Sequence, residues 1–171
     1  QGLPPYDTQY DGAVNYSYRP PPTTNMLIGR QTLQYGCAYE GRNSTNSTNG
    51  DKCAPGIKAD RHVAPMPVCL TNLLVMMRSK GIFDEKNWPD SAVVDIFQEG
   101  DCMPPHTEHH DFTRPIFTLS LGSTQRIVMG QKIRTVRAGQ FEADVELALP
   151  NGSILVRQSH SADVAKLRSP A

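Results

Sequence analysis

Hydrophobic and polar positions change their period several times along the chain, and each change marks an element. Residues 30–39, RQTLQYGCAY, alternate as a strand does, and EGRNSTNSTNGDKCAPG after them is a loop by composition. Leu70, Leu73, Leu74 and Met77 then recur at helical spacing. Pro65 and Pro67 precede them, and Arg78, Lys80 and Gly81 close the segment as a helix C-terminus would, so a helix of about three turns is predicted. Beyond it the period falls to two. Short strands are predicted over 91–97, 116–121 and 125–129. Phe141, Ala143, Val145, Leu147 and Leu149 alternate with Glu142, Asp144 and Glu146, and PNGS at 150–153 turns the chain into the strand SILV. Short strands at roughly even spacing behind one helix predict a mainly β fold, a sandwich or jelly roll.

Residues 1–29, with YSYRPPPTTN among them, follow neither period and are read as an extended N-terminal arm. The remaining 30–171 are read as one globular domain, since a chain of 171 residues that is 38% hydrophobic can bury a modest core. An arm rich in tyrosine and proline suits a protein partner that orders it, and a simple disordered leader accounts for the composition at least as well.

Charge narrows the function. Seventeen basic and seventeen acidic residues cancel, so no overall field draws in a phosphate backbone. Arg126, Lys132, Arg134 and Arg137 form a local basic group, read as solvated strand ends and turns. No apolar run approaches the roughly twenty residues that span a bilayer, and no signal segment opens the chain, so membrane insertion is not expected. The first residue, Gln1, marks a processed chain or part of a longer one. Cys37, Cys53, Cys69 and Cys102 lie far apart with no C-x-x-C pair, which fits reduced thiols in an intracellular protein of unspecified compartment. Of the N-x-S/T sequons at Asn15, Asn43, Asn46 and Asn151, two sit in NSTNSTNG, where composition alone produces them, and secretion is the minor reading.

The candidate chemistry sits in GDCMPPHTEHHDFTRPIFTLSLGS, residues 100–123. His106 and Glu108 are two apart, so on extended chain both side chains point to one face, and H-x-E is the natural pair of metal ligands. His109, His110 and Asp111 are read as a loop or strand entry. A non-haem Fe(II) oxygenase needs two histidines and one carboxylate on one face of the metal.

The wider segment VVDIFQEGDCMPPHTEHHDFTRPIFTLSL resembles the core of the AlkB-type 2-oxoglutarate/Fe(II) oxygenases, above all the plant branch that removes N6-methyl groups from adenosine in RNA. That branch carries N-x-Y, then E-G-D, then P-P-H-x-D-x-H-D-F, then R-P. RQTLQYGCAY is similar to its nucleotide lid, APGI to the turn after it, and LPNGSILV with SADVAK to the approach to its distal histidine, so the likeness covers about 30–166. The resemblance implies a double-stranded β-helix (jelly roll) with an N-terminal helix and extended arm. It also implies lid positions at Arg30, Gln34 and Tyr35, where Tyr35 would stack a base; an edge strand packed on the barrel is the competing account of that segment.

Departures from the family fall on its working positions. Asp95 and Phe97 stand where N-x-Y contacts 2-oxoglutarate; a lost hydrogen bond to a charged group costs about 1.5–3 kcal/mol, and Asp95 adds repulsion. Glu108 replaces an aspartate beside the retained His106. Leu167 stands at the distal histidine, where leucine cannot ligate, and His160 is seven residues early. The sequence ends at Ala171, ahead of the family's last strand and its arginines. Asp111, Phe112, Arg114 and Pro115 match the family and are read as structural.

Three functions are therefore weighed. The leading one is a degenerate AlkB-like domain, a pseudoenzyme serving as a structural or binding subunit of a larger assembly, with no cofactor expected. The alternative is an active Fe(II)/2-oxoglutarate-dependent RNA N6-methyladenosine demethylase with His106 and Glu108 as ligands. The third is an RNA-binding module without chemistry, whose affinity would depend on salt, Arg30 and Tyr35.

Overall fold

The structure is a computed structural model, and it describes residues 15–18, 30–40, 55–61, 63–97, 101, 103, 105–137, 140–163 and 166–168. It is mainly strands with few helices: β1 Asn15–Tyr18, β2 Arg30–Tyr35, β3 Tyr39–Glu40, β4 Gly56–Ile57, α1 Val68–Ser79, a 3-10 turn Glu85–Asn87, β5 Ala92–Ile96, β6 Ile116–Leu119, β7 Gln125–Gly130, β8 Arg134–Arg137, β9 Gln140–Glu142, β10 Val145–Leu149, β11 Ile154–Arg157, α2 His160–Asp163 and β12 Lys166–Arg168. Their sheets are small: β1-β2-β5 and β10-β7-β12 have three strands each, and β6-β11, β3-β4 and β8-β9 have two. No helix among the described residues is long and apolar enough to cross a membrane.

The chain falls into two compact units. One is Gln1–Tyr16 with Thr32–Asp95, the other Ser17–Gln31 with Ile96–Ala171. The expected arm 1–29 contains the strand β1; its other residues lie outside those described.

In the first unit, the strand predicted over 30–39 breaks after Tyr35. Gly36 turns the chain with φ +81°, a conformation glycine adopts without steric penalty, and its N–H donates to the Ala64 carbonyl at 2.9 Å. The buried Gln34 amide bridges the break, accepting from the Tyr39 N–H at 2.6 Å and donating to the Tyr39 carbonyl at 2.8 Å.

Helix α1 matches the predicted spacing. Leu74 and Met77 are its buried residues. It ends in a Schellman motif: the Gly81 N–H donates to the Arg78 carbonyl at 2.9 Å and the Ile82 N–H to the Met77 carbonyl at 3.1 Å, with Gly81 at φ +72°. Buried Phe83 then packs edge-on against Trp88 at 5.7 Å between ring centroids.

The second unit centres on β7, paired antiparallel with β10 on one side and β12 on the other. Ile127, Val128, Met129 and Gly130 are all buried, so this strand is covered on both faces, and Ile127, Met129 and Leu149 form a core cluster. The single alternation predicted over 141–149 is two strands, β9 and β10, separated at Ala143 and Asp144. β8 was not anticipated; it pairs with β9. The PNGS turn is as expected: Gly152 at φ +80° donates its N–H to the Ser120 carbonyl at 2.7 Å, joining the ends of β6 and β11.

Candidate functional site

Residues 105–111 lie between β5 and β6, with an isolated bridge at His106 and a turn at 110–111, and carry His106 and Glu108 two positions apart. As the spacing requires, the two side chains meet: His106 Nε2 lies 3.6 Å from Glu108 Oε1. His106 is partly exposed, and Glu108 is mostly withdrawn from water.

A third side chain, absent from the sequence-based reading, joins them. Arg157, the last residue of β11, is 3% exposed, and its Nη2 donates to the same oxygen, Glu108 Oε1. Among the described residues its Nε and Nη1 have no hydrogen-bond partner. An orphaned buried donor costs about 1–3 kcal/mol, so the charge-assisted hydrogen bond to the Glu108 carboxylate is the contact that offsets burying this guanidinium. Burial alone would push the Glu108 carboxyl up. The adjoining His106 imidazole and the Arg157 guanidinium outweigh burial and bring it from 4.5 down to about 2.

Arg114 shapes the loop that presents Glu108. Its Nη2 donates to the Glu108 carbonyl at 3.3 Å, its Nη1 to the carbonyls of His109 and Phe112, and its Nε to Asp163 Oδ1 at 2.8 Å. The guanidinium fork thereby ties 108–112 to α2, the structural role read for Arg114.

His109, His110 and Asp111 form a separate group whose ligand-capable atoms lie within 4.8 Å of one another. His109 Nδ1 is 3.3 Å from Asp111 Oδ2, His110 Nε2 is 3.4 Å from Asp111 Oδ1, and the His110 side chain is 87% exposed. Three adjacent ligating residue types were the only sequence signal for this cluster. Such nitrogen and carboxylate donors suit a borderline divalent ion at a surface.

The other candidates lie elsewhere. Asp95, on β5, accepts from Thr32 Oγ1 on β2 at 2.6 Å, so its carboxylate links two strands of the first unit. Phe97 follows β5 and is 36% exposed. Leu167 is in β12, its backbone in register with Met129 of β7; its side chain and that of His160 lie outside those described. Gln34 is held on the Tyr39 backbone, Tyr35 is half-buried, and the side chain of Arg30 lies outside those described. In the basic group, Arg126 pairs with Glu146 at 3.0 Å and Arg134 with Glu142, directly opposite on β9; Lys132 is exposed. The side chain of Arg137 lies outside those described. Cys37 and Cys69 are free thiols, and Cys53 and Cys102 lie outside the described residues.

Arg157 already engages the Glu108 oxygen that a metal ion would take, which disfavours the His106–Glu108 pair as a metal site. Two unit charges about 4 Å apart interact by about 4 kcal/mol at an effective dielectric of 20, so a dication on Glu108 at that distance from the guanidinium would meet roughly 8 kcal/mol of repulsion.

No family model matches the sequence. Over 143 residues the chain is 36% identical to the RNA demethylase ALKBH9B of Arabidopsis thaliana, covering 84% of this chain and 27% of that protein. Over 137 residues it is 25% identical to the RNA demethylase ALKBH10B of the same plant, covering 80% of this chain and 23% of the relative. The chain thus spans about a quarter of the length of the curated relatives it matches.

Proposed function

The chain belongs to the AlkB-type family, and from that premise we propose that it is a jelly-roll domain that has kept the family scaffold without its oxidative centre, serving as a structural or binding subunit. Position 167 carries this reading. The resemblance puts the family's distal histidine at this position, where this chain has a leucine whose backbone is in register with Met129. A hydrocarbon side chain has no lone pair for iron, which leaves a two-donor set where the chemistry requires three. Asp95 supports the same reading: the anion standing where the family contacts 2-oxoglutarate accepts a hydrogen bond from Thr32.

The matched relatives are RNA demethylases, so RNA is the ligand to try first, with protein partners along 1–29 as the companion proposal. A working Fe(II)/2-oxoglutarate RNA N6-methyladenosine demethylase is the competing reading, favoured by the 36% identity to a relative named for RNA demethylation. One experiment separates them. The full-length protein is incubated with Fe(II), 2-oxoglutarate and N6-methyladenosine RNA, and iron, succinate, formaldehyde and residual methyl are measured. No stoichiometric iron and no turnover are expected. About one iron per chain with loss of methyl would overturn the proposal.

A further inference from the structure

We infer that Arg157 is the resident cation of the His106–Glu108 site: its guanidinium holds the carboxylate that a divalent ion would otherwise hold, and it keeps such an ion out. This deepens the reading that the domain has no oxidative centre, and it rests on that reading.

Three observations meet here. Arg157 and a ligand-type residue, His106, converge on one oxygen, Glu108 Oε1, from opposite directions in the sequence. The guanidinium is nearly free of solvent, and two of its three nitrogens have no hydrogen-bond partner among the described residues. Arginine stays protonated, so burial cannot discharge it, and a buried cation persists only beside a counter-charge. The carboxylate supplies that counter-charge. A second cation on the same carboxylate would be repelled by the first at short range.

Charge is therefore the variable to change. Arg157→Met keeps an unbranched apolar stem and removes the cation, while Arg157→Lys keeps the cation. Because the surface turn at His109, His110 and Asp111 can itself take a divalent ion, all proteins carry His110→Ala. Co(II) binding is followed by titration calorimetry, and occupancy of this site by paramagnetic shifts of the His106 ring protons. Arg157→Met is expected to bind Co(II) on the order of tenfold or more tighter than the Arg157 protein, with His106 shifted. Arg157→Lys should show no gain, and adding Glu108→Gln to Arg157→Met should abolish it. Arg157→Gln, neutral and able to hydrogen-bond, replaces the methionine variant if that one does not fold.

Equal affinity of the Arg157 and neutral proteins, or no gain in either neutral variant, overturns the inference while leaving the proposed function standing. Stoichiometric iron with turnover in the wild-type chain removes both.

Discussion

Replacing Glu108 by glutamine should change how stability depends on pH, and the structure fixes the direction. The folded-state pKa is depressed, from 4.5 to about 2, so ionised Glu108 stabilises the fold above the unfolded value and that contribution is lost as pH falls from about 5 toward 2. At about 1.36 kcal/mol per pH unit the displacement corresponds to about 3 kcal/mol. Glu108→Gln also leaves Arg157 buried without its counter-charge, which typically costs about 3–5 kcal/mol. The variant should therefore be several kcal/mol less stable than the wild type at pH 7. Near pH 2 the two should converge to within about 1 kcal/mol, because at its folded-state pKa Glu108 is half protonated and the contribution gained by ionisation is almost gone. Urea unfolding of both proteins by circular dichroism at pH 7, 5, 3 and 2 measures the difference, and other carboxylates cancel in the subtraction. A gap that stays constant across that range would refute the pairing of Glu108 with Arg157.

Three further outcomes follow from the packing. Gly36→Ala would place a Cβ 2.2 Å from the Asp90 carbonyl oxygen at φ +81°, and thermal unfolding should show a loss of more than about 2 kcal/mol. Phe83→Ala removes a buried ring stacked edge-on against Trp88; a cost of about 3–5 kcal/mol and a change in tryptophan fluorescence are expected. Arg114→Lys cannot reproduce the fork over Glu108, His109, Phe112 and Asp163, and should cost about 2–4 kcal/mol, with faster limited proteolysis within 108–112.

Local devices were legible and distant partners were not. Helix α1 announced itself because apolar spacing, preceding prolines and Gly81 all belong to neighbouring residues. The same logic overran two breaks. Alternation continued through Gly36 and through Ala143 and Asp144, where backbone geometry interrupts the ladder without interrupting the pattern. β8 was invisible because Arg134, Thr135 and Val136 are all exposed, leaving no buried face to set a period of two. At the site, the face shared by His106 and Glu108 followed from their spacing. Arg157 did not: it lies 49 residues from Glu108 and reads locally as the polar end of SILV. Thr32, 63 residues from Asp95, was hidden for the same reason.

The place of β7 between β10 and β12 bears on the order in which this part of the chain assembles. β10 returns to β7 after a short excursion, whereas β12 lies at the far end of the described chain, so its loop closes over more residues and at greater entropic cost. The β7–β10 ribbon is therefore expected to form before β12 docks onto it. In the native state the ranking persists as kinetics: amides shared by β7 and β10 should exchange with solvent hydrogen most slowly, and those of 166–168 should open first, by partial unfolding that leaves the central ribbon intact.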